Sequence, residues 1–587
     1  MGYIITKTSL TNSKSSNEEG INIYQSIMKQ YKSDDLIFKI IKNDGTLKLL
    51  TKKECIHQTR ILSETIIKFT KGIIKKDQLK IFGVINASEE SVFLMLSSLL
   101  LGAHHSICFE DLCDESIIER LKIFQPDIIL CRQHLLSQLS IIVKKFSKKE
   151  LTVLPIDLRN KKINFDENNI KERSYYHNES NLFTLFTSGS TGTPKAVTHS
   201  AKNYIKYTKF TTKYFFGIKK GSVVFTATDA GWINGHTYAF YGPLTLGAIS
   251  VINENPLFVS LPRQLSEILD AVRPDILYTS VTVLRLIKSV VKADETINSY
   301  CRSNLNLDRI GSCGEPLANS VGEWATKFFK PKRKAIVNTY FQTETGGILV
   351  APRDEDIAPN DYSCVGKPRK ELGLNIAKEI MTEEEILNEG LDPNEILVCN
   401  KWDGIFQYVI SNKKSNYFTK KGYFRTHDVG FLDNQGYLYI GGRSDDVINV
   451  AGHRISSSEI ESVSIEVENI DETCAVELKD NIYGSKPILY VSTSIDDEKK
   501  LAEIFTNIRN RIKKRLSKYH IPDRIEKFKY LPKTKSGKII RSIMRLITES
   551  SLNIDKINNS NIANRSDFLI SFNEFKNKGD KKYKILS

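Results

Sequence analysis

Between residues 79 and 131 short apolar runs alternate with stretches of helical periodicity. Residues 79–84, 105–109 and 127–131 read as strands, with helices over 91–101 and 115–124 between them. Successive strands joined through helices run parallel, because a tight turn connects only antiparallel neighbours, and a parallel sheet needs cover on both faces. The alternation resumes downstream with strands at 223–227, 248–252, 276–279 and 307–312 and helices at 263–272 and 281–292. A further helix is expected over 52–69. The fold class is therefore α/β, with a large N-terminal lobe of parallel-rich sheets and covering helices. Ligands of such sheets gather at the carboxyl ends of the strands.

A chain of 587 residues exceeds one ordinary core and should divide. A polar break at residues 444–446 sets the division: a lobe over 21–444, then a small lobe over 445–548. Residues 1–20 read as a loose leader, 133–179 as a polar connector and 549–587 as a polar tail. Lysine and arginine outnumber the acids 84 to 69, yet they are spread along the chain without a compact basic stripe, so no nucleic-acid partner is expected. Nine cysteines without a C-x-x-C pair argue against zinc and a disulfide framework and suit a reducing compartment. Residues 1–20 lack a secretory pattern. The most apolar run, 92–103, is about a dozen residues long and too short to span a bilayer. No membrane partner is expected, and the cytoplasm is the expected address.

The sharpest chemical signal is Phe186-Thr-Ser-Gly-Ser-Thr-Gly-Thr-Pro-Lys195. Glycines three apart let backbone N–H groups converge, Thr187, Ser188, Ser190 and Thr191 add hydroxyls, and Lys195 adds charge, which together suit phosphate. The spacing is not that of a P-loop. Taken alone, such a run is more often a surface loop. It resembles, however, the signature loop of the acyl-adenylate-forming superfamily, and further matches follow in order. They are Gly231-Trp-Ile-Asn-Gly-His236 continuing to Tyr241-Gly-Pro-Leu244, Gly314-Glu-Pro316, Tyr340-Phe-Gln-Thr-Glu-Thr-Gly-Gly347, Asp428, Gly442-Arg-Ser-Asp-Asp446 with Gly452-His-Arg454, and Leu531-Pro-Lys-Thr-Lys-Ser-Gly-Lys538. The resemblance runs from about residue 50 to 548 and is closest to the acetyl-CoA synthetase branch.

The resemblance implies activation of a small carboxylate by ATP to an acyl-adenylate and pyrophosphate, then transfer to coenzyme A. Lys538 matches the lysine that meets the carboxylate and the α-phosphate, with His236 and Trp232 as further catalytic candidates. ATP is expected along Thr187, Ser188, Gly189, Ser190, Thr191, Gly192 and Lys195, against Gly314, Glu315 and Pro316, and along Asn338, Thr339, Tyr340, Phe341, Gln342 and Thr343. Asp428 and Arg443 match ribose contacts, with Arg454 nearby, and Glu344 matches the Mg2+ ligand. The resemblance also implies that the C-terminal lobe is small, mobile and α+β, with Asp445 matching the hinge about which it swings.

Several positions depart from the branch pattern. Asn338 replaces an aspartate, and Ala196 stands where glycine commonly follows the loop lysine. In the acyl pocket of Ile233, Asn234, Cys313 and Phe341, phenylalanine replaces a tryptophan while Ile233 and Asn234 exceed the usual valine and threonine. These opposed changes fit a short acid, from acetate to about four carbons, with compensating swaps leaving volume little changed. Around coenzyme A, assigned to Asn234, Ala451, Gly452 and Lys513, the pattern thins: Glu110-Asp-Leu112 replaces Gly-Gly-Phe, Lys513 an arginine and Ala451 a serine. Two enzyme readings stand here: an acyl-CoA synthetase, or an adenylating enzyme that passes its acyl group to a carrier-protein thiol or an amine. A catalytically silent nucleotide-binding protein is the third.

Overall fold

The first alternation forms the middle of an eight-stranded sheet. Its order is Ile4–Lys7, Tyr408–Ser411, Pro194–Ser200, Asn181–Ser188, His104–Cys108, Lys80–Val84, Ile128–Cys131, Thr152–Pro155. The strands from Asn181–Ser188 onward pair in parallel, as their helical connections require, and antiparallel strands complete the other edge. The computed structural model describes residues 3–8, 20–70, 78–146, 151–157, 175–177, 180–188, 194–254, 267–293, 306–333, 336–353, 361–412, 416–450, 453–480, 484–534, 537–549, 552, 557 and 562–583.

The second alternation makes a separate seven-stranded sheet, ordered Ile336–Asn338, Arg309–Cys313, Ile276–Ser280, Val223–Thr226, Ile249–Asn253, Leu36–Ile41, Leu47–Thr51. It is parallel up to its last, hairpin pair. Glu89–Leu100, which holds most of the apolar run, is buried at every position except Glu90. The two serines that interrupt the run find partners within the core, Ser98 donating to the Leu94 carbonyl at 2.8 Å and Ser97 to that of Thr59 at 3.2 Å. Each large apolar side chain buried there contributes about 1.5–3 kcal/mol. No helix among the described residues is long and apolar enough to cross a membrane.

A third, four-stranded antiparallel sheet, Leu374–Ile376, Glu395–Val398, Phe424–Leu432 and Leu438–Arg443, closes the large lobe. The single turn Ser444–Asp446 then leads into the small lobe. There Glu472–Asp480, Gly484–Ser492, Val447–Val450 and His453–Ser456 form a sheet, with Arg524–Lys527 beside Gly484–Ser492, and the helices Ser457–Ser464, Glu498–Arg515 and Arg541–Thr548 pack on it.

Three segments differ from their sequence reading. Within the leader, Ile4–Lys7 pairs with Tyr408–Ser411 as an edge strand, satisfying backbone groups that periodicity alone does not reveal in so polar a segment. The connector 133–179 contains a helix, Leu136–Phe146, and a strand, Thr152–Pro155; Leu139, Ile142 and Val143 are buried among residues of the first sheet. The tail 549–587 is polar by count but places Leu552, Ile557, Ile562, Phe568 and Phe572 in the small lobe's core, the last two on the helix Arg565–Tyr583. Widely spaced apolar residues diluted by asparagine and lysine hide that face from a composition count. Of the helix expected at 263–272, residues 263–266 lie outside the described set, and 267–272 are helical.

Candidate active site

One cavity of about 650 Å³ lies between the lobes. Its large-lobe wall is made of strand ends and the loops that follow them. Asp428 sits on Phe424–Leu432 opposite Arg443 of the neighbouring strand, and the Arg443 guanidinium donates to its carboxylate at 3.3 Å. Just before it, His427 takes a left-handed backbone (φ 56°), a costly conformation outside glycine that breaks the strand's regular direction beside the carboxylate. The Tyr340 hydroxyl donates to Asp428 Oδ2 at 2.9 Å, and Gln342 Nε2 donates to the same oxygen at 2.5 Å and to the Thr426 carbonyl at 2.7 Å. A carboxylate offers about four acceptor positions. Three are taken, which leaves one on Oδ1.

The next stretch lies at the carboxyl ends of Arg309–Cys313 and Ile336–Asn338. Asn338 is buried; its amide nitrogen faces the carbonyls of Tyr362, Ser363 and Cys364 at 3.2, 3.4 and 3.2 Å, and its oxygen accepts from the Ser312 hydroxyl at 3.1 Å. The amide thus ties the strand end to the chain segment at 362–364. Thr339 donates to the Ser312 carbonyl at 2.8 Å. Gly314, Glu315, Pro316 and Phe341 line the same wall.

The two ends of the phosphate-loop sequence lie on the antiparallel strands Asn181–Ser188 and Pro194–Ser200, with Thr187 opposite Lys195. Thr187 and Lys195 face the cavity. Gly189, Ser190, Thr191 and Gly192 lie outside the described residues, as does the Ser188 side chain. Ala196 is buried in the strand opposite Phe186, so its methyl group is absorbed by the sheet. The Lys195 ammonium lies 5.6 Å from the centre of the Tyr417 ring, and the Tyr417 hydroxyl donates to Glu344 Oε1 at 3.3 Å. Lysine and glutamate therefore face one part of the cleft without a direct bond.

At the far end Ile233, Asn234, Cys313 and Phe341 come together, as the sequence predicts. Asn234 Nδ2 donates to the Cys313 sulfur at 3.4 Å, and Phe341 stands edge-on to Tyr238 at 5.7 Å. The bend that brings these groups forward depends on Gly235, where a Cβ would fall 2.1 Å from the Asp229 carbonyl oxygen. Trp232 also lines the cavity.

His236 does not. It is fully buried, its ring 5.3 Å from that of His105, with Nε2 3.2 Å from His105 Nε2 and Nδ1 3.3 Å from the Trp232 carbonyl. Burial pushes its pKa down to about 3, so it is neutral at ordinary pH. A neutral ring donating from Nδ1 to Trp232 accepts from His105 at Nε2. The expectation of a catalytic His236 is corrected on this ground: motif order places it beside Trp232, but its ring turns into the core and supports Trp232 from behind.

The small lobe presents Lys538 to the same cavity from the tip of a hairpin. Lys533 and Ile539 bridge its base, and within it the Thr534 N–H donates to the Lys538 carbonyl at 2.8 Å and the Lys538 N–H to the Thr534 hydroxyl at 3.2 Å. Gly537 has φ +82°, and a Cβ there would lie 2.7 Å from Thr282 Cγ2 on the large lobe, so a side chain would be strained and crowded. Thr282 Oγ1 lies 3.4 Å from the Gly537 carbonyl oxygen, while its single proton goes to the closer Glu315 carboxylate. Beneath this contact Glu315 is held by the Arg285 guanidinium and the Thr282 hydroxyl. Burial alone raises its pKa, but Arg285, Thr282 and the nearby Lys538 bring it below the usual carboxylate range.

Other expected residues are less central. Lys513 is exposed in the last turn of Glu498–Arg515, away from the cavity lining. Ala451 and Gly452 lie outside the described residues, and so do the side chains of Asp445 and Arg454. Glu110 is turned inward: it accepts from the Asn86 N–H at 3.0 Å and lies 3.8 Å from Arg132 and 3.3 Å from His134. Thr282, Arg285 and Tyr417 escaped the sequence reading. The first two follow the strand end at Ser280, so the strand-end rule pointed at them although no motif did.

Two family models match the chain, "AMP-binding enzyme" over residues 68–386 and "AMP-binding enzyme C-terminal domain" over 459–538. An acetyl-coenzyme A synthetase of Psychromonas ingrahamii is 32% identical over 521 residues, covering 84% of this chain and 78% of that protein. Acetyl-coenzyme A synthetase 2 of Candida albicans is 33% identical over 513 residues, covering 82% and 74%. Among solved structures, an anthranilate CoA ligase in complex with anthranoyl-AMP superposes with a TM-score of 0.75 at 18% identity, covering 92% of this chain and 99% of that one. The o-succinylbenzoate CoA synthetase of Bacillus subtilis, bound to its acyl-adenylate, gives 0.71 at 19% identity, over 90% and 99%. At such identity the structural likeness speaks for the fold.

Proposed function

This chain belongs to the AMP-binding enzyme family, and from that membership we propose that it is an AMP-forming acyl-CoA synthetase acting on acetate or a similarly short acid. One observation carries the reading: Lys538 from one lobe and Asp428, Glu344 and Lys195 from the other face a single cavity. A carboxylate oxygen of the acid attacks the α-phosphorus of ATP; a new P–O bond forms, the bond to the bridging oxygen breaks, and pyrophosphate leaves. The thiolate of coenzyme A, its proton lost to solvent, then attacks the acyl carbon and AMP departs.

Two anions meet in the first step. Lys538 offsets their repulsion where charge develops, an effect worth about two to three decades of rate. Asp428, oriented by Tyr340, Gln342 and Arg443, accepts a ribose hydroxyl at its remaining position on Oδ1; a second hydroxyl on the same carboxylate displaces Gln342. Gly314, Glu315 and Pro316 flank the adenine, with Asn338 fixing the strand end behind it. Thr187, Thr343 and Lys195 meet the phosphates. Glu344 has one oxygen engaged by Tyr417 and the other without a donor among the described residues, which fits a Mg2+ site made of one carboxylate and phosphate oxygens. When bound, Mg2+ supplies charge neutralisation to the pyrophosphate that leaves.

Ile233, Asn234, Cys313 and Phe341 close the acyl end. The turn Ser444–Asp446, the single covalent crossing after Arg443, serves as the hinge, and Lys513, exposed on the small lobe, meets coenzyme A after that lobe has turned. Glu110, which stands where the family has glycine, is turned to the Arg132 guanidinium and the Asn86 N–H. No observation favours a carrier-protein thiol or an amine as acceptor. The test is acid-dependent pyrophosphate release with and without coenzyme A. Release with acetate, and thioester formation once coenzyme A is added, are expected; silence across a panel of short acids ends the reading.

A further inference from the structure

The chain beyond the Lys538 hairpin returns to grip the segment that leads into it. Asn564 Oδ1 accepts from the Lys533 N–H at 2.9 Å, and its Nδ2 donates to the Leu531 carbonyl at 2.8 Å. The Ala563 N–H donates to the Lys533 carbonyl at 2.7 Å, and the buried Ser571 hydroxyl accepts from the Tyr530 N–H at 2.8 Å. Asn564 immediately precedes the helix Arg565–Tyr583, and its side chain points back across the chain to these residues. Behind it Phe568 and Phe572 are buried in one cluster with Phe528 and Leu531.

The other edge of residues 532–534 belongs to the hairpin itself. The Ile540 N–H donates to the Pro532 carbonyl at 2.8 Å, and the Thr534 N–H to the Lys538 carbonyl at 2.8 Å. The hairpin's root is thus held on both sides, while its tip meets the large lobe through Thr282 and Gly537. A lysine at the end of a short turn loses conformational freedom each time it is ordered, and fixing the root lowers that cost before substrates arrive.

We propose that residues 562–575 are a brace that positions Lys538, with Asn564 as the positioning residue that locks the hairpin's root. This rests on the adenylating role given to Lys538 above. The brace acts on the half-reaction that uses the tip and leaves the other half-reaction intact. Two rates separate them: pyrophosphate release in the absence of coenzyme A, and thioester formation from supplied acyl-adenylate and coenzyme A.

In Asn564→Ala, kcat for pyrophosphate release is expected to fall about tenfold with the KM for ATP unchanged. Thioester formation should stay within about twofold of the parent. Asn564→Asp keeps the acceptor for the Lys533 N–H and loses the donor to Leu531, so it should fall between the two. If the alanine variant does not fold, the aspartate variant and Ser571→Ala decide by the same ratio of rates. Equal loss in both half-reactions, a change confined to KM, or unimpaired pyrophosphate release overturns the brace. A parent protein that releases no pyrophosphate overturns the underlying reading instead.

Discussion

The two walls of the cleft are built in opposite ways. On the large lobe, the carboxylate of Asp428 is surrounded by Tyr340, Gln342 and Arg443, donors already in place on the neighbouring strand and on the loop after Ile336–Asn338. On the small lobe, Lys538 is exposed, and its neighbour Gly537 meets the large lobe by packing against Thr282. On the proposed function, recognition of the nucleotide is preorganised, whereas the group that offsets charge in the first step sits on the other lobe. A lobe that turns between half-reactions, as proposed, would be fastened less tightly than a wall that stays.

The largest test of that contrast is Lys538→Ala. Pyrophosphate release should fall about a hundredfold to a thousandfold, with little change in the KM for ATP and with acyl transfer from supplied acyl-adenylate retained. Loss of both half-reactions would break the contrast. Asp428→Ala should act through affinity instead: it removes the ribose acceptor and leaves buried donors unmet, so kcat/KM for ATP is expected to fall about thirtyfold, near 2 kcal/mol. A change in kcat alone would assign Asp428 to the wrong wall.

Gly537→Ala probes the contact between the walls. The added methyl is strained at a positive φ and meets Thr282, so pyrophosphate release should fall about tenfold, while thioester formation is unaffected. Equal slowing of both steps would show that the tip stays docked throughout.

The last test reads stability rather than rate and separates the lobes by acid. His104 and His236 are pushed down to about 3 and His199 and His427 to about 4, in each case chiefly by burial, and all four lie in the large lobe. Between those values and about 6.5 the unfolded chain binds protons that the folded lobe does not, so stability falls with falling pH, by up to about 1.4 kcal/mol per unit for each ring. Above about pH 6.5 these rings contribute no slope. Calorimetry between pH 7 and 5 should show the large-lobe transition moving down first; a small-lobe transition that moves first would reverse the assignment.

Legibility followed the same divide. Motifs with fixed spacing named Ile233, Asn234, Cys313 and Phe341, which the structure brings to one end of the cavity, and named Asp428 and Arg443 separately, without the bond that strand register makes between them. Alternating periodicity predicted the parallel sheets, although not that they are two. His236 was misplaced because a motif states order along the chain and is silent on which way a ring turns. The Asn564 contacts were illegible for another reason: asparagines are common in the last 40 residues, and nothing local marks the one that reaches back to Leu531 and Lys533. Arg285 lay within an amphipathic helix and had no motif to announce it.

Glu315, fixed against Arg285 and Thr282, sets a negative charge in the cavity wall near Lys538. That field opposes a stray chloride or inorganic phosphate drawn to the ammonium, since such an ion has no other contact to offset it. On the proposed function the two reactants bring adenine, ribose and acyl contacts that such ions lack. The carboxylate would then bias the cleft against the commonest anions without removing the cation that the first step uses.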